Sequence, residues 1–273
     1  MNRRLLIAGL AALAVLAIIA SVAMMIKKNN ASVPSANTDN ASLAVLLSQA
    51  KELEAKGNLL EAKAVYQKLV TDFPNLNGVM EWQKKTEELT VRSILSPAIT
   101  ARSISYEIKP GDTLGKIARE HKTTVELIQK TNSIPNDKIS PGRKIKIWTA
   151  PFSIFVDKSQ NSLLLKVDDE IVKSYIVSTG KDNSTPVGTF KITNKLMNPT
   201  WFKAGAVVPA DSPENILGTR WLGFNIPGYG IHGTTEPQSL GQQATQGCVR
   251  MLNAEVEELY TLVPVGTEVT IVD

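Results

Sequence analysis

The sequence predicts a multidomain chain: one N-terminal transmembrane helix, an α-helical hairpin, a small βααβ domain and a mainly β domain at the C-terminus. Three observations predict this order. Residues 5–26 are uncharged, apolar residues recur at helical spacing over residues 41–95, and short alternating segments separated by glycine and proline follow residue 151. With 273 residues, 43% of them hydrophobic, the chain can build several small cores and is neither disordered nor collagen-like.

Residues 1–28 are predicted to be a transmembrane anchor. The uncharged stretch over 5–26 lies between two basic pairs, at residues 3–4 and 27–28. At about 1.5 Å per residue in a helix it spans roughly 33 Å, enough to cross the hydrocarbon core of a bilayer. The positive-inside rule then places the N-terminus in the cytoplasm and the rest of the chain outside it. A cleaved signal peptide is the competing interpretation, because residues 21–23 resemble a cleavage site of small residues.

A polar linker over residues 29–40 precedes a helical segment over residues 41–95. The apolar spacing breaks at residues 57–58 and stops at Pro74, and a third helix is predicted over about 78–95. The pattern resembles one tetratricopeptide repeat. The matching positions are Leu46, Ala50, Leu53, Gly57, Ala62, Tyr66 and Pro74. Because such repeats need at least three copies for stability, we expect a spacer hairpin or a weak protein contact rather than a peptide-binding array.

Residues 103–148 are predicted to form a small βααβ domain. An alternating strand leads into the turn Pro110-Gly111, two short amphipathic helices follow, and residues 144–148 alternate again as a closing strand. The segment resembles a LysM domain over its whole length. The matching positions are Tyr106, Ile108, Gly111, Asp112, Thr113, Leu114, Ile117, Ala118, Leu127, Asn132, Ile139, Pro141 and Gly142. The resemblance implies binding to glycans that contain N-acetylglucosamine, peptidoglycan above all.

Residues 151–273 are predicted to form the mainly β domain. Alternating apolar residues predict several strands, including a hairpin over residues 162–177, and one clear helix over 254–262 with Asn253 as its N-cap. The segment 195–219 is rich in proline and glycine and has little periodicity. Long structureless stretches in compact domains are often lids or binding loops, so we expect this segment to border a functional site.

Cys248 is the only cysteine of the chain, and His232 is the only histidine of the predicted β domain. One cysteine cannot close an intrachain disulfide, and two histidines and one cysteine spread over more than a hundred residues make a zinc site implausible. We therefore expect no metal and no cofactor. A free thiol is only about 3% ionised at pH 7, whereas a neighbouring imidazole can accept its proton. Gly247 leaves the backbone N–H groups beside the thiol accessible to an oxyanion. The pattern predicts a cysteine nucleophile with a histidine base.

The segments around these two residues closely resemble the catalytic domains of L,D-transpeptidases of the YkuD type. The matching segments are Ile231-His232-Gly233-Thr234, Ser239-Leu240-Gly241 and Thr245-Gln246-Gly247-Cys248-Val249-Arg250-Met251, with further blocks at 178–180, 185–190, 198–201 and 217–220. The resemblance covers essentially all of residues 151–273, and the spacing from His232 to Gly-Cys-x-Arg is highly specific.

The resemblance implies a role for each matched residue. Cys248 is the acyl-accepting nucleophile and His232 its general base. The backbone carbonyl of Gly233 orients the imidazole, and the N–H groups of Gly247 and Cys248 form the oxyanion hole. Arg250 orders the catalytic loop or binds a substrate carboxylate, with a structural salt bridge as the alternative.

Three further residues are implied in substrate binding: Trp201, Arg220 and Gln246. Many family members carry histidine where this chain has Gln246. A neutral amide can donate a hydrogen bond but cannot titrate, so an acid or base role is lost at that position.

The implied reaction attacks the bond before the terminal D-Ala of a tetrapeptide stem, releases D-Ala and passes the acyl group to a second stem as a 3→3 cross-link. An L,D-carboxypeptidase or endopeptidase and an enzyme that attaches proteins to peptidoglycan are the alternatives, because both use the same Cys–His pair. We expect a location in the cell envelope, anchored in the cytoplasmic membrane with the catalytic domain outside the cytoplasm. Nucleic acid is not an expected partner, because the basic residues of 1–150 are scattered among acidic ones.

Overall fold

The structure is a computed structural model that describes residues 36–203 and 205–273. The predicted transmembrane segment over residues 5–26 lies outside these ranges, as does the first half of the predicted linker. Within the described ranges, no helix combines the length and the apolar character needed to cross a bilayer.

Three helices form the first part of the described chain. They are α1 (Ala36–Ala55), α2 (Leu59–Asp72) and α3 (Val79–Leu95). The predicted break is confirmed, because Gly57 has a φ of +76°, a left-handed conformation that ends a helix and that glycine adopts without strain. The helical part begins at Ala36, inside the predicted linker 29–40.

The hairpin of α2 and α3 packs against the C-terminal domain. The carboxylate of Glu87, in α3, accepts hydrogen bonds from the backbone N–H (3.2 Å) and the hydroxyl (2.9 Å) of Ser174. Val91 and Ile94, on the same helix, belong to the apolar core that fills the C-terminal domain. The free spacer that we expected is therefore corrected: the hairpin has a buried face and is part of a larger packed unit.

Residues 103–148 have the predicted order of elements. These are β1 (Ser103–Glu107), α4 (Leu114–Glu120), α5 (Val125–Thr131) and β2 (Lys144–Trp148). The two strands pair antiparallel, with Ser103 opposite Trp148 and Glu107 opposite Lys144. A separate small core lies beneath the helices.

The C-terminal domain is mainly β, as predicted. Its elements are β3 (Phe152–Asp157), β4 (Ser162–Val167), β5 (Glu170–Ile176), β6 (Thr179–Gly180), β7 (Gly188–Met197), β8 (Trp201–Lys203), β9 (Ala206–Val208), β10 (Arg220–Phe224), β11 (Gly230–His232), β12 (Gln243–Thr245), β13 (Val249–Arg250), α6 (Asn253–Leu262) and β14 (Glu268–Val272). Eight strands form one mixed sheet in the order β13-β11-β10-β7-β14-β3-β4-β5. Strand β5 is one edge, and α3 covers it, which protects the edge from pairing with another chain. At the opposite edge, β11 and β13 pair in parallel.

The described residues of the segment 195–219 contain strands, in contrast to the structureless stretch that we expected. Strand β7 extends into it, and β8 and β9 pair as a hairpin. The Asn215 side chain, 3% exposed, binds the backbone of the segment outside these strands. Its amide donates to the carbonyls of Pro199 (2.9 Å) and Pro209 (3.0 Å), and its oxygen accepts from the N–H of Leu217 (3.0 Å). One buried amide thus supplies the hydrogen bonds that a strand ladder would otherwise provide.

The three parts of residues 47–273 share one apolar core. Leu127 and Trp148 of the βααβ domain pack in the same cluster as the strands of the C-terminal domain. Lys146, 2% exposed, donates to three carbonyls at the C-terminal end of α3, those of Ser93 (3.2 Å), Ile94 (3.2 Å) and Ser96 (2.9 Å). Carbonyls in the last turn of a helix lack their usual i+4 N–H partners, and a buried ammonium group supplies hydrogen bonds to them here. Burial lowers the pKa of Lys146 to about 8.

Candidate active site

Cys248 lies at the sheet edge formed by β11 and β13. It directly precedes β13, and the parallel pairing sets Ile231 opposite Val249 and His232 opposite Arg250. The pairing therefore brings the predicted nucleophile and the predicted base to neighbouring strands. The half-buried thiol donates to the carbonyl oxygen of Gly228 at 3.4 Å. Burial raises the pKa of the Cys248 thiol to about 11, so the thiol is protonated at neutral pH.

A compact turn over residues 245–248 presents the thiol. The Thr245 hydroxyl donates to the carbonyl of Cys248 (2.7 Å) and accepts the N–H of Gly247 (3.1 Å). Gly247 has a φ of +127°, and a Cβ there would lie 2.6 Å from Cε1 of Tyr229. The turn therefore needs glycine at this position. Because its N–H is already bonded to Thr245, Gly247 does not present the free oxyanion-hole donor that the sequence implied, and Cys248 N–H is the remaining predicted donor.

His232 is 2% exposed, and its Nδ1 lies 2.6 Å from the carbonyl oxygen of Gly233. A carbonyl only accepts, so Nδ1 carries the proton in this hydrogen bond and Nε2 keeps the lone pair that a base needs. The contact is the one that the predicted orienting role of Gly233 requires. The indole of Trp221 stacks on the imidazole with ring centroids 6.0 Å apart and planes at 18°.

Burial lowers the pKa of His232 to about 4, with a smaller contribution from the nearby positive charge of Arg250. Hydrogen bonds to the backbone of Gly233 and Leu217 act in the opposite direction and are outweighed. Thiol and imidazole are therefore both neutral at pH 7.

Arg250 is held in an ion pair. Its Nη1 lies 2.8 Å from Oε2 of Glu236 and 2.9 Å from the hydroxyl oxygen of Ser239. The arginine side chain is 5% exposed and Glu236 is 49% exposed. The guanidinium thus ties the loop after β11 to β13, which is the structural alternative raised for this residue. Its positive charge also lowers the pKa of His232 and partly offsets the rise that burial causes in the pKa of Cys248.

A cleft of about 370 Å³ adjoins the thiol. Gly228, whose carbonyl accepts from the Cys248 thiol, and Trp221, which stacks on His232, are both in its lining. The remaining lining residues come from β7, from the end of β10 and from the loop between β10 and β11: Thr193, Asn194, Gly223, Phe224, Asn225, Ile226, Pro227 and Tyr229.

Two of the implied substrate residues, Gln246 and Trp201, are not among the residues that line this cleft. Gln246 is exposed on the turn that carries the thiol. Trp201 is half-buried on β8, opposite Val208 of β9.

Arg220, the third implied substrate residue, contacts α6 and not the predicted catalytic pair. Its guanidinium lies 5.5 Å from the ring centroid of Tyr260 and 3.8 Å from Glu257, both on α6. Successive residues of a strand point to opposite faces, so Arg220 and its neighbour Trp221 face opposite sides of the sheet. Arg220 instead lines a second cleft of about 560 Å³, shared by α5, α6 and the end of β7.

Sequence reasoning missed four residues of the site: Trp221, Tyr229, Thr245 and Asn253. Thr245 had a local signal, because a threonine two residues before a glycine can form a side-chain turn. Trp221 and Tyr229 are placed by strand register, which the sequence does not give. Asn253 was taken for a helix cap, but its side chain makes no capping bond; its oxygen accepts from the N–H groups of Thr219 (3.2 Å) and Thr234 (3.0 Å).

A lone thiol beside a buried, neutral and backbone-oriented imidazole, at the mouth of a cleft, defines a cysteine enzyme that transfers acyl groups. The comparisons agree with this class. The family model of the L,D-transpeptidase catalytic domain matches residues 151–271, and that of the LysM domain matches residues 106–148.

Sequence relatives identify the family. YkuD of Bacillus subtilis (strain 168), assigned to the L,D-transpeptidases, is 33% identical over 175 residues, which are 62% of this chain and 98% of the relative. Its counterpart in Bacillus licheniformis is 36% identical over 176 residues, with the same coverage. Among solved structures, an L,D-transpeptidase from Mycobacterium smegmatis aligns with 49% of this chain and 65% of its own at 22% identity and a TM-score of 0.39. The chain belongs to the L,D-transpeptidase family.

Family membership supports a transferase that acts on peptidoglycan, joined to a LysM domain of the type that binds peptidoglycan. Both domains imply a protein of the cell envelope or the space outside the cytoplasm. The tetratricopeptide resemblance of residues 41–95 is not confirmed.

Proposed function

We propose that the chain is a peptidoglycan L,D-transpeptidase that forms 3→3 cross-links through an acyl-enzyme on Cys248. The observation that carries the proposal is the placement of the only thiol of the chain at a cleft, one strand away from a buried imidazole whose tautomer leaves Nε2 as the base.

The proposed reaction has two acyl transfers. In the first, Sγ of Cys248 attacks the carbonyl carbon before the terminal D-Ala while the thiol proton passes to His232, and the C–N bond breaks as the amine of D-Ala takes that proton. In the second, the side-chain amine of another stem attacks the thioester, loses a proton through His232 and releases the thiolate, which is reprotonated. Because both groups are neutral at rest, the proton moves during the attack, as in general base catalysis.

The remaining implied roles are adjusted to the geometry. Cys248 N–H serves as an oxyanion donor, because the N–H of Gly247 is bonded to Thr245. Arg250 orders the loop at Glu236 and disfavours the imidazolium form. Gln246, exposed beside the thiol, and Trp201 contact the incoming stem.

The LysM domain docks the enzyme on glycan strands. Its docking face keeps a fixed position relative to Cys248, because Leu127, Trp148 and Lys146 are buried against the rest of residues 47–273. Tethering of this kind raises the local concentration of stems. Residues 5–26 anchor the chain in the cytoplasmic membrane, with the enzyme outside the cytoplasm. The helical segment 41–95 adds a weak protein contact through a tetratricopeptide-like surface.

The test is to incubate the full chain with disaccharide-tetrapeptides and to identify the products by mass spectrometry. A cross-linked dimer that lacks one D-Ala is expected. A disaccharide-tripeptide alone would instead establish the carboxypeptidase alternative. Products identical to those of Cys248→Ala would contradict enzymatic use of the thiol, and a stem joined to an added protein acceptor in preference to a second stem would establish protein attachment.

A further inference from the structure

Asn253 lies at the start of α6, where a polar residue normally caps the helix. The N-cap is instead Leu252, and the Asn253 side chain makes no capping bond. Its Oδ1 accepts two backbone N–H groups from distant loops, that of Thr219 at 3.2 Å and that of Thr234 at 3.0 Å. The Asn253 side chain therefore connects two loops and does not cap its own helix.

Both loops meet at Gly233, the residue that holds the ring of His232. Thr234 follows Gly233, whose carbonyl accepts from Nδ1 of the imidazole at 2.6 Å. Thr219 precedes Arg220, whose carbonyl oxygen accepts the N–H of Gly233 at 3.3 Å. One side-chain oxygen therefore holds the two backbone segments that position Gly233 beside the predicted base.

The packing around this oxygen is tight. A Cβ added at Gly218 or at Gly233 would lie 2.1 Å from Oδ1 of Asn253. Gly218 also has a φ of +64°, which favours glycine. Glycine at both positions lets the two backbones approach the amide, so the arrangement depends on all three residues together.

We propose that Asn253 is a positioning residue for the transpeptidase reaction, acting through the Gly233 carbonyl to keep the proton of His232 on Nδ1 and the lone pair on Nε2. The inference rests on the proposed function for its kinetic consequence, and its structural part stands independently. Loss of the Asn253 oxygen frees the Gly233 carbonyl, and the neutral ring then populates the other tautomer, which has no base directed to the thiol.

The kinetic test measures D-Ala release by the full chain at pH 8 in four variants. Asn253→Ala and Asn253→Leu remove the acceptor, and kcat is expected to fall by roughly 10- to 100-fold with KM little changed, because small displacements of a catalytic group have effects of this size. Asn253→Asp retains an oxygen at the same position and should restore most of kcat. Val256→Ala, a buried site one turn along the same helix, is the matched control for lost packing alone.

The structural test uses the fact that the chain has only two histidines, His121 and His232. Ring ¹⁵N shifts should show His232 as the Nδ1–H tautomer in the wild type and a mixture in Asn253→Ala, with His121 unchanged. Wild-type shifts in Asn253→Ala, or an equal loss of kcat in Val256→Ala, would overturn the inference. Absence of D-Ala release from the wild type would count against the proposed function alone, because the ring shifts still decide the role of Asn253.

Discussion

The two clefts of the described chain differ in size and in chemistry. The larger one, of about 560 Å³, is lined by charged side chains such as Glu126, Lys130, Arg220 and Glu257. The smaller one, of about 370 Å³, adjoins Cys248 and Trp221. Volume alone therefore does not point to the proposed chemistry. The smaller cleft is distinguished by Gly228, whose carbonyl accepts from the Cys248 thiol, and by Trp221, which stacks on His232.

The largest effect is expected from the thiol. Cys248→Ala should lower D-Ala release by at least about 10³-fold, because Cys248 is the only thiol of the chain and the proposed acyl-enzyme forms on it. Product analysis by mass spectrometry measures the loss, and circular dichroism checks that the variant is folded. Residual release above a hundredth of the wild-type rate would show that the smaller cleft is not the reaction site.

Removal of the base is expected to rank second. His232→Ala should slow D-Ala release by about 10²- to 10⁴-fold, because general base assistance contributes that much. The acylation rate in single-turnover experiments is the direct measurement. Gln246→His adds a histidine beside the thiol and serves as the comparison; we expect it to be tolerated, since the amide is exposed. Full activity in His232→Ala would mean that another group is the base.

The turn that presents the thiol gives a prediction on stability. Gly247→Ala should lower the free energy of unfolding by about 1–3 kcal/mol, because a φ of +127° is strained for alanine and the new Cβ meets Tyr229. Urea denaturation measures the change. Gly115→Ala, at a helical site where an added Cβ has no atom within 4 Å, is the matched control and should not destabilise the chain. Equal changes in the free energy of unfolding for Gly247→Ala and Gly115→Ala would show that the turn does not require glycine at residue 247.

Lowering the pH should destabilise the folded chain through His232. Its pKa is about 4 in the folded chain and about 6.5 when unfolded, so between these values the unfolded chain binds more protons. The contribution of about 3 kcal/mol is therefore complete above pH 6.5 and is lost as the pH falls towards 4. Urea unfolding of wild type and His232→Gln at pH 7.5 and 4.5 isolates this term. Parallel losses of stability in both proteins would contradict a buried neutral imidazole.

The smallest effects belong to the larger cleft. Met197→Ala, at a side chain 61% exposed, and Glu257→Gln should each leave kcat/KM for a soluble disaccharide-tetrapeptide within about twofold, because exposed substitutions remote from the chemistry change free energies by about 0.5 kcal/mol. Tyr229→Ala, in the smaller cleft, is the contrasting variant and should lower kcat/KM by more than twofold. A larger loss of kcat/KM in Met197→Ala and Glu257→Gln than in Tyr229→Ala would place the reaction in the larger cleft.

Some of this arrangement could be predicted from residue types alone. Cys248 and His232 are rare residues in a polar, glycine-rich setting, so their chemistry was visible without a fold. The strands and helices followed from apolar periodicity, and the break at Gly57 from its backbone freedom.

The rest depends on strand register and on contacts between distant segments. Arg220 was assigned to the substrate although strand alternation turns it away from His232, and only the pairing of β10 with β11 reveals this. Asn253 has the local signature of a helix cap, and only the folded chain shows the two loops that compete for its oxygen. The hairpin over 41–95 was expected to be a spacer because its buried face at Glu87 has no local signal.

The proposed mechanism requires that Cys248 carries the acyl group. The intact mass of the full chain, quenched during turnover with a disaccharide-tetrapeptide and mapped by peptide fragmentation, measures this group. We expect an added disaccharide-tripeptidyl group on Cys248, formed with release of one D-Ala and absent from Cys248→Ala. An unchanged mass during active turnover, or an adduct on another residue, would contradict it.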